Sequence, residues 1–423
     1  MTPSARPRKR PGLVALVIVL AMIAAACAGE TATSTTESPG TTAAPATTEA
    51  PATSIPGTTE APGEATIENA EFVLNGWEGP DWLEVPDPAT LDTPGYYGEH
   101  SPADYSELEI TADDVAAIRE MGWKAAFLNW SGVPYNQAFT HGIERAFDEL
   151  GINLVATTNF EFDAVKANSD VLNVLPLEPD IIITGVLDPT QWPGILQPAL
   201  DAGITIEMWS QGVEGWEVGD ELCNITSYDP AYDGATVADG IAKWYPDGAQ
   251  VGVIRWSFNH PVVIGRDQGF LDRLAEYPNL EVIADLPMDD PNRADVVASA
   301  LITQFPDVDV IYGPWDSPPA EGIVAAIRAA GRDDIKVATM DLGFTGAHEI
   351  ATDGIIFHDT AQAVYEAGRT MAIASALCRL GKEVPPFLVV PTYGVDKENL
   401  NSGWQYMHGP DIPLPEEDQI PGT

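Results

Sequence analysis

From Lys124 onward the chain alternates short apolar runs with longer stretches in which apolar residues recur every three or four positions. The short runs are Ala125–Leu128, Leu154–Thr158, Ile181–Thr184 and Ile204–Met208, then Val251–Arg255, Val282–Leu286, Val308–Tyr312, Val337–Met340 and Ile355–Phe357. They are too short for helices and predict buried strands. Between them, Gln137–Leu150, Ala294–Gln304, Glu321–Ala330 and Ala363–Leu380 have helical spacing. In the first of these, Phe139, Ile143, Phe147 and Leu150 share one face, and Gly151 stops the helix. Strand–helix alternation predicts an α/β protein with parallel sheets and helices on both sheet faces. The alternation occurs twice, around residues 122–225 and 248–358, so two lobes of similar plan are expected.

Upstream of the first strand the pattern is lost. Residues 71–108 are rich in Trp, Tyr, Pro and Gly without a clear period, although Thr111-Ala112-Asp113-Asp114 reads as a capping box for a helix ending at Met121. Residues 67–121 are therefore expected to form an extension packed on the first lobe.

The first residues are Arg6, Arg8, Lys9 and Arg10, then an apolar stretch from Leu13 to Ala26, then Cys27. A basic segment, a short apolar segment and small residues make residues 1–26 a secretory signal, too short for a comfortable membrane span. Ala24-Ala25-Ala26-Cys27 resembles the bacterial lipobox, with Ala24 where Leu is more usual, which implies lipidation of Cys27. The plainer alternative is an ordinary signal peptide. The following segment, residues 27–66, is almost entirely Thr, Ser, Ala, Pro, Glu and Gly and cannot bury enough apolar surface to fold. At ~3 Å per residue it would reach on the order of 100 Å, the length of a stalk. The lipid anchor would then hold the folded part on the outer face of the cell membrane.

Charge narrows the partners. The chain carries 64 acids against 20 bases, a net charge of −44. Nucleic acids and anionic lipid surfaces need cationic patches, so neither is an expected partner. Besides Cys27 there are only Cys223 and Cys378. Outside the cell they could form a disulfide or remain two buried thiols, and their spacing does not choose between these. No cluster suggests a metal, and no motif implies a cofactor.

In open parallel sheets, ligands bind beyond the carboxyl ends of the strands. Those ends carry Asn129-Trp130, Trp209-Ser210-Gln211, Trp256, Asp289-Asp290, Trp315-Asp316 and Asp341. Four of the eleven tryptophans stand there, each beside a polar residue. Aromatic faces with adjacent acids and amides suit a neutral polyhydroxylated ligand, whose C–H faces stack while its hydroxyls bond. Signatures of catalysis are missing: there is no Gly-x-Ser-x-Gly, His-Glu-x-x-His, phosphate loop or Gly-x-Gly-x-x-Gly.

The stretches "FLNWSGVPYNQAFTHGIERAFDELG", "PDIIITGVLDPTQWPGILQPALDAGITI", "GRDQGF", "FPDVDVIYGPWDSPPAEGIVAAIRAAG" and "TMDLGFTGAHEIATDG" occur in an order and spacing that are more specific than any one of them. Together they resemble the ribose-type (type I) periplasmic sugar-binding proteins, the substrate-binding components of ATP-binding-cassette importers. The resemblance spans about residues 122–405. It implies two Rossmann-like lobes joined by a three-strand hinge, with the ligand between them and a membrane permease as partner. The crossings would fall near Ser227, Gln362 and Pro391. One lobe would comprise residues 122–227 plus 363–391, and the other 228–362 plus 392–408, leaving 409–423 as a tail.

The resemblance also implies a set of ligand contacts. Asn129 and Tyr135 match polar and aromatic positions after the first strand, while Asn136 stands where the family has a second aromatic, so one stacking face would come from Trp130 or from elsewhere. Ser210 and Gln211, preceded by Trp209, stand where the family often has a charged Asp-Arg pair. Arg266 in "GRDQGF" matches the family arginine, Asp341 an acid after a later strand, and Gln362 a hinge-side glutamine. Asp289 and Trp315 replace an aromatic and an amide, with Asp316 expected to fix its loop. A cleft arginine would be exposed in an open form, so truncating Arg266 is expected to cost binding and little stability. Two other readings remain: a carbohydrate-active hydrolase using Asp289, Asp316 or Asp341, and a ligand sensor for a membrane receptor.

Overall fold

The structure is a computed structural model and describes residues 69–83 and 102–421. The signal segment, Cys27 and the tether lie outside the described residues, as do residues 84–101 of the extension. Among the described residues no helix is long and apolar enough to cross a membrane.

The first lobe opens with α1 (Glu71–Asn75), β1 (Ala103–Asp104) and α2 (Ala112–Met121). Thr111 caps α2 as the sequence predicts: its hydroxyl accepts from the Asp114 N–H, and the Asp114 carboxylate accepts from the Thr111 N–H. Then β2 (Lys124–Asn129), α3 (Pro134–Leu150), β3 (Asn153–Asn159), α4 (Ala164–Val174), β4 (Ile181–Gly185), α5 (Trp192–Asp201), β5 (Thr205–Trp209) and β6 (Ile225–Ser227) alternate. The second lobe runs α6 (Pro230–Trp244), β7 (Ala249–Trp256), α7 (Pro261–Leu274), β8 (Leu280–Met288), α8 (Ala294–Gln304), β9 (Val310–Tyr312), α9 (Glu321–Ala330), β10 (Lys336–Met340), α10 (Phe344–Ala351) and β11 (Ile356–Gln362). The chain returns to the first lobe for α11 (Val364–Arg379) and β12 (Phe387–Val389), then crosses again for β13 (Thr392–Val395) and α12 (Leu400–His408).

The first sheet has the order β1-β12-β6-β5-β4-β2-β3 and is parallel throughout. The second has the order β13-β11-β10-β9-β7-β8, with β13 antiparallel to β11 at its edge. The strands read as near-continuous apolar runs because helices cover both faces: Ile181, Ile182 and Ile183 of β4 are wholly buried. The chain passes between sheets after Ser227, after Gln362 and after Val389, so three adjacent segments form the hinge.

Two parts pack more widely than the sequence suggests. The extension was expected on the first lobe alone. Arg369 of α11 does donate to the carbonyls of Phe72 and Val73, but the Trp82 indole donates to Ser402 of α12 and meets Tyr393 of β13 edge-on. Helix α12 in turn touches α3 and α11 as well as α10 and β11, so it spans the hinge instead of belonging to the second lobe only. Residues 409–421 pack back on the fold: Ile412 and Leu414 are buried, and Asp418 bonds His348 on α10.

Cys223 and Cys378 are joined in a disulfide. Both ends lie in the first lobe, so the bridge reconnects two stretches that the inserted second lobe separates.

Candidate functional site

A cavity of about 110 Å³ lies between the lobes, at the carboxyl ends of their strands. Its aromatic lining is Trp130, Tyr135, Phe162 and Trp209 from the first lobe, Tyr228 from the first hinge crossing, and Trp256 and Trp315 from the second lobe. The polar lining includes Asn136, Ser210, His260, Arg266, Ser317 and Asp341.

Local backbone geometry brings Ser210 and Asp341 to equivalent places. Each follows a strand, and each has a left-handed backbone, with φ of 75° and 71°. Each then donates its N–H to a threonine carbonyl of the neighbouring strand, Ser210 to Thr226 and Asp341 to Thr360, both at 2.8 Å. Non-glycine residues seldom adopt this region, and such strain gathers at functional sites. Trp130 lies against the end of β4, where a Cβ on Gly185 would come 2.8 Å from its ring, so a glycine is needed there.

Arg266 is the electrostatic centre. It reaches the cavity from α7, which begins at Pro261 with His260 as its cap. Its two terminal nitrogens donate to the two Asp341 oxygens at 3.1 and 2.7 Å, a fork-on-fork pair. Its Nε lies 3.1 Å from Asp233 Oδ2, and its guanidinium sits 4.9 Å from the Tyr228 ring centre. Arg266 is only 4% exposed in this structure. Burial lowers its affinity for the proton, but Asp341, Tyr228 and Asp233 more than offset this and hold its pKa well above the usual value. Burial lifts Asp233 to about 6, although Arg266 opposes the rise. Burial, then Asp341, also lifts the Tyr135 hydroxyl pKa, so that phenol stays a neutral donor and acceptor. Burial and then Arg266 push His260 down to about 4, which keeps its ring neutral.

Eight of the twelve contacts that the sequence points to come together on this cavity: Trp130, Tyr135, Asn136, Trp209, Ser210, Arg266, Trp315 and Asp341. Four do not line it. Asn129 accepts from Trp130 N–H at 2.8 Å and from the Asn136 amide at 2.7 Å, so it fixes the loop that carries two lining residues. Gln211 donates to the Val186 carbonyl and braces the exit of β4. Gln362 donates to Asp233, one step behind Arg266. Asp289 is exposed after β8, the outermost strand of its sheet, and is displaced from the cleft for that reason.

Asp316 holds the loop after β9, as expected. Its Oδ2 accepts from the N–H groups of Gly343 and Gly346 at the start of α10, at 2.7 and 3.4 Å. The Ser317–Pro318 bond is cis, and α9 begins at Glu321, after the proline pair and not within it. Tyr228, Phe162 and the valines Val262 and Val263 also line the cavity and were not foreseen. Tyr228 had a signal, since it directly follows the first crossing; Phe162 stands beyond β3 with a left-handed backbone that no motif marks.

A two-lobed α/β protein with an interlobe cavity is thus defined by its geometry. Residues 125–383 match the model of the family described as "Periplasmic binding protein domain", and the chain belongs to that family. Over 231 residues it is 25% identical to the Ribose import binding protein RbsB of Escherichia coli (strain K12), covering 54% of this chain and 75% of that one. A solved solute binding protein of an ABC transporter from Agrobacterium vitis, bound with alpha-D-tagatopyranose, superposes with a TM-score of 0.61 at 20% identity, covering 68% of this chain and 99% of that one. One from Actinobacillus succinogenes with bound D-allose gives 0.58 at 20% identity, covering 66% and 98%. The fold is therefore that of the type I periplasmic binding proteins.

Proposed function

We propose that this chain captures a sugar or related polyhydroxylated small molecule between its lobes and delivers it to the permease of an ATP-binding-cassette importer. The observation that carries the reading is the Arg266–Asp341 pair, set among tryptophans from both lobes. The pair offers N–H donors and carboxylate acceptors side by side, which adjacent hydroxyls require. Trp130, Trp209, Trp256 and Trp315 supply stacking faces for the C–H surface of a ring. Ligand that touches both lobes favours the closed form, and the permease would read that population.

The protein acts by binding and not by catalysis. The acids that a hydrolase would need are engaged elsewhere: Asp316 caps α10, Asp341 is paired with Arg266, and Asp289 is exposed outside the cavity. Lipidated Cys27 and the tether would hold the binding unit outside the cell membrane, which the lipobox-like sequence supports. Replacing Cys27 by Ser is expected to release the protein from the membrane fraction.

The test is intrinsic tryptophan fluorescence, with thermal shift, against pentoses, hexoses, polyols and nucleosides. A saturable change with at least one sugar or polyol is expected. Turnover of any of these compounds, or no response to all of them, defeats the reading.

A further inference from the structure

The cavity wall is unusually apolar for a ligand covered in hydroxyls. Besides the seven aromatic residues, it is built from Val133, Val186, Leu187, Val262 and Val263. Its polar groups are few, and several are already committed. Both terminal nitrogens of Arg266 donate to Asp341. The Asn136 amide donates to Asn129, and His260 Nδ1 accepts from Val263 N–H. Arg266 is paired with Asp341 beside the Tyr228 ring, and Tyr135, Ser210 and Ser317 also line the cavity. The Arg266–Asp341 pair suits one pair of adjacent hydroxyls. Each further hydroxyl buried against valine or indole without a partner costs about ten- to a hundredfold in affinity.

The apolar surface also continues outward. Trp315 meets Trp256 edge-on at 5.4 Å, and Phe258 stacks on Trp256 at 5.0 Å and 20°. Phe258 is 41% exposed, and Phe162, which lines the cavity from the other lobe, is 47% exposed. The aromatic wall thus runs from inside the cleft to solvent.

We propose that the site selects an amphipathic sugar: a vicinal diol held by Arg266 and Asp341, with a deoxy, O-alkyl or aryl portion against the tryptophans that extends toward Phe162 and Phe258. The proposal rests on the reading of this cleft as a sugar site and sharpens it. Trp256 and Trp315 are its specificity-determining residues, since they form the surface on which the unhydroxylated part would lie.

Isothermal titration calorimetry on two matched pairs tests it: D-galactose against D-fucose, which lacks only the 6-hydroxyl, and D-glucose against phenyl β-D-glucopyranoside. The less polar member of each pair is expected to bind at least tenfold more tightly. Phe258→Ala is expected to reduce the advantage of the phenyl glucoside several-fold and leave the D-fucose to D-galactose ratio unchanged. Equal or tighter binding of the parent sugar in either pair, or a phenyl advantage insensitive to Phe258→Ala, overturns the amphipathic proposal and leaves sugar capture standing. If none of the four binds, nor any member of the wider panel, both readings fall together.

Discussion

Arg266 and Asp341 form a two-pronged ion pair between α7 and the exit of β10, and Asp233 backs the same guanidinium from α6. Three elements of the second lobe therefore meet on one charged group that is nearly inaccessible. Truncating such a group leaves its acids without compensation, which commonly costs about 3–5 kcal/mol. Arg266→Ala is accordingly expected to abolish ligand binding and to destabilise the unliganded protein, not to spare it. The penalty should be smaller at pH 5 than at pH 7.5, because Asp233, already near 6 with Arg266 present, takes up a proton more readily once the cation is gone. Urea unfolding at the two pH values, with a binding titration, checks both parts. An unchanged midpoint at pH 7.5 contradicts the role assigned to the pair.

Asp316 provides a pH prediction of defined sign. Burial raises its pKa from 3.8 to about 7, with the Gly346 and Gly343 N–H groups opposing. A group whose pKa is raised on folding contributes stability that is complete below its unfolded value and is lost as pH rises through the folded value. The wild-type protein should lose that contribution between about pH 4 and 7. Buried His260, His358 and His408, each lowered to about 4, act in the opposite direction, losing their contribution as pH falls from 6.5 through 4. Comparison with Asp316→Asn cancels them. The stability of the variant relative to wild type is expected to improve by about 2–3 kcal/mol from pH 5 to pH 8. Paired denaturation curves at these pH values measure it.

The Cys223–Cys378 bridge closes a loop of 155 residues that contains the second lobe from α6 to β11. Cross-linking so distant a pair restricts the unfolded chain and typically stabilises by about 2–5 kcal/mol. Reduction, or Cys223→Ser with Cys378→Ser, is expected to lower the unfolding midpoint by a corresponding amount while ligand affinity stays within about twofold, because neither cysteine lines the cavity. Thiol titration before and after reduction, alongside unfolding and binding curves, tests the pairing.

Strand and helix positions were legible because a doubly covered parallel sheet writes itself as short apolar runs at regular intervals. The four strand-end tryptophans were legible for the same reason, as large side chains just beyond a buried run. What could not be read was which strand ends face the cleft. Asp289 follows a strand as plainly as Asp341 does, but β8 is an edge strand and β10 is central. Nor does sequence separate a residue that lines a cavity from one that braces it: Asn129 and Gln362 stand at strand exits yet spend their amides on Asn136 and Asp233. The burial of Arg266 depends on Asp233, thirty-three positions earlier (266 − 233) on another helix, a contact that no local pattern encodes. Helix α12 spans the hinge because Leu400, Trp404 and Tyr406 are all buried, a wider apolar face than a one-sided surface helix carries.

The closest approach of α6 to α7 sets the position of Arg266, and this can be tested from a distance. At Gly234 a Cβ would sit 1.9 Å from the Arg266 carbonyl oxygen and 2.7 Å from Phe270 N, so the two backbones meet without room for a methyl group. Both atoms belong to the backbone and cannot rotate aside. Gly234→Ala must therefore move α7 away from α6, and overpacking of this kind costs about 1–3 kcal/mol. The shift also carries the guanidinium away from Asp233, which lies one residue from Gly234 on α6. Binding should weaken at least tenfold although no lining residue has changed, with the loss appearing mainly as faster ligand release. Stopped-flow fluorescence with the tightest ligand found in the screen, read beside a denaturation curve, separates the two effects. A variant that loses stability but keeps its release rate would mean that α7 pivots about Arg266 instead of carrying it.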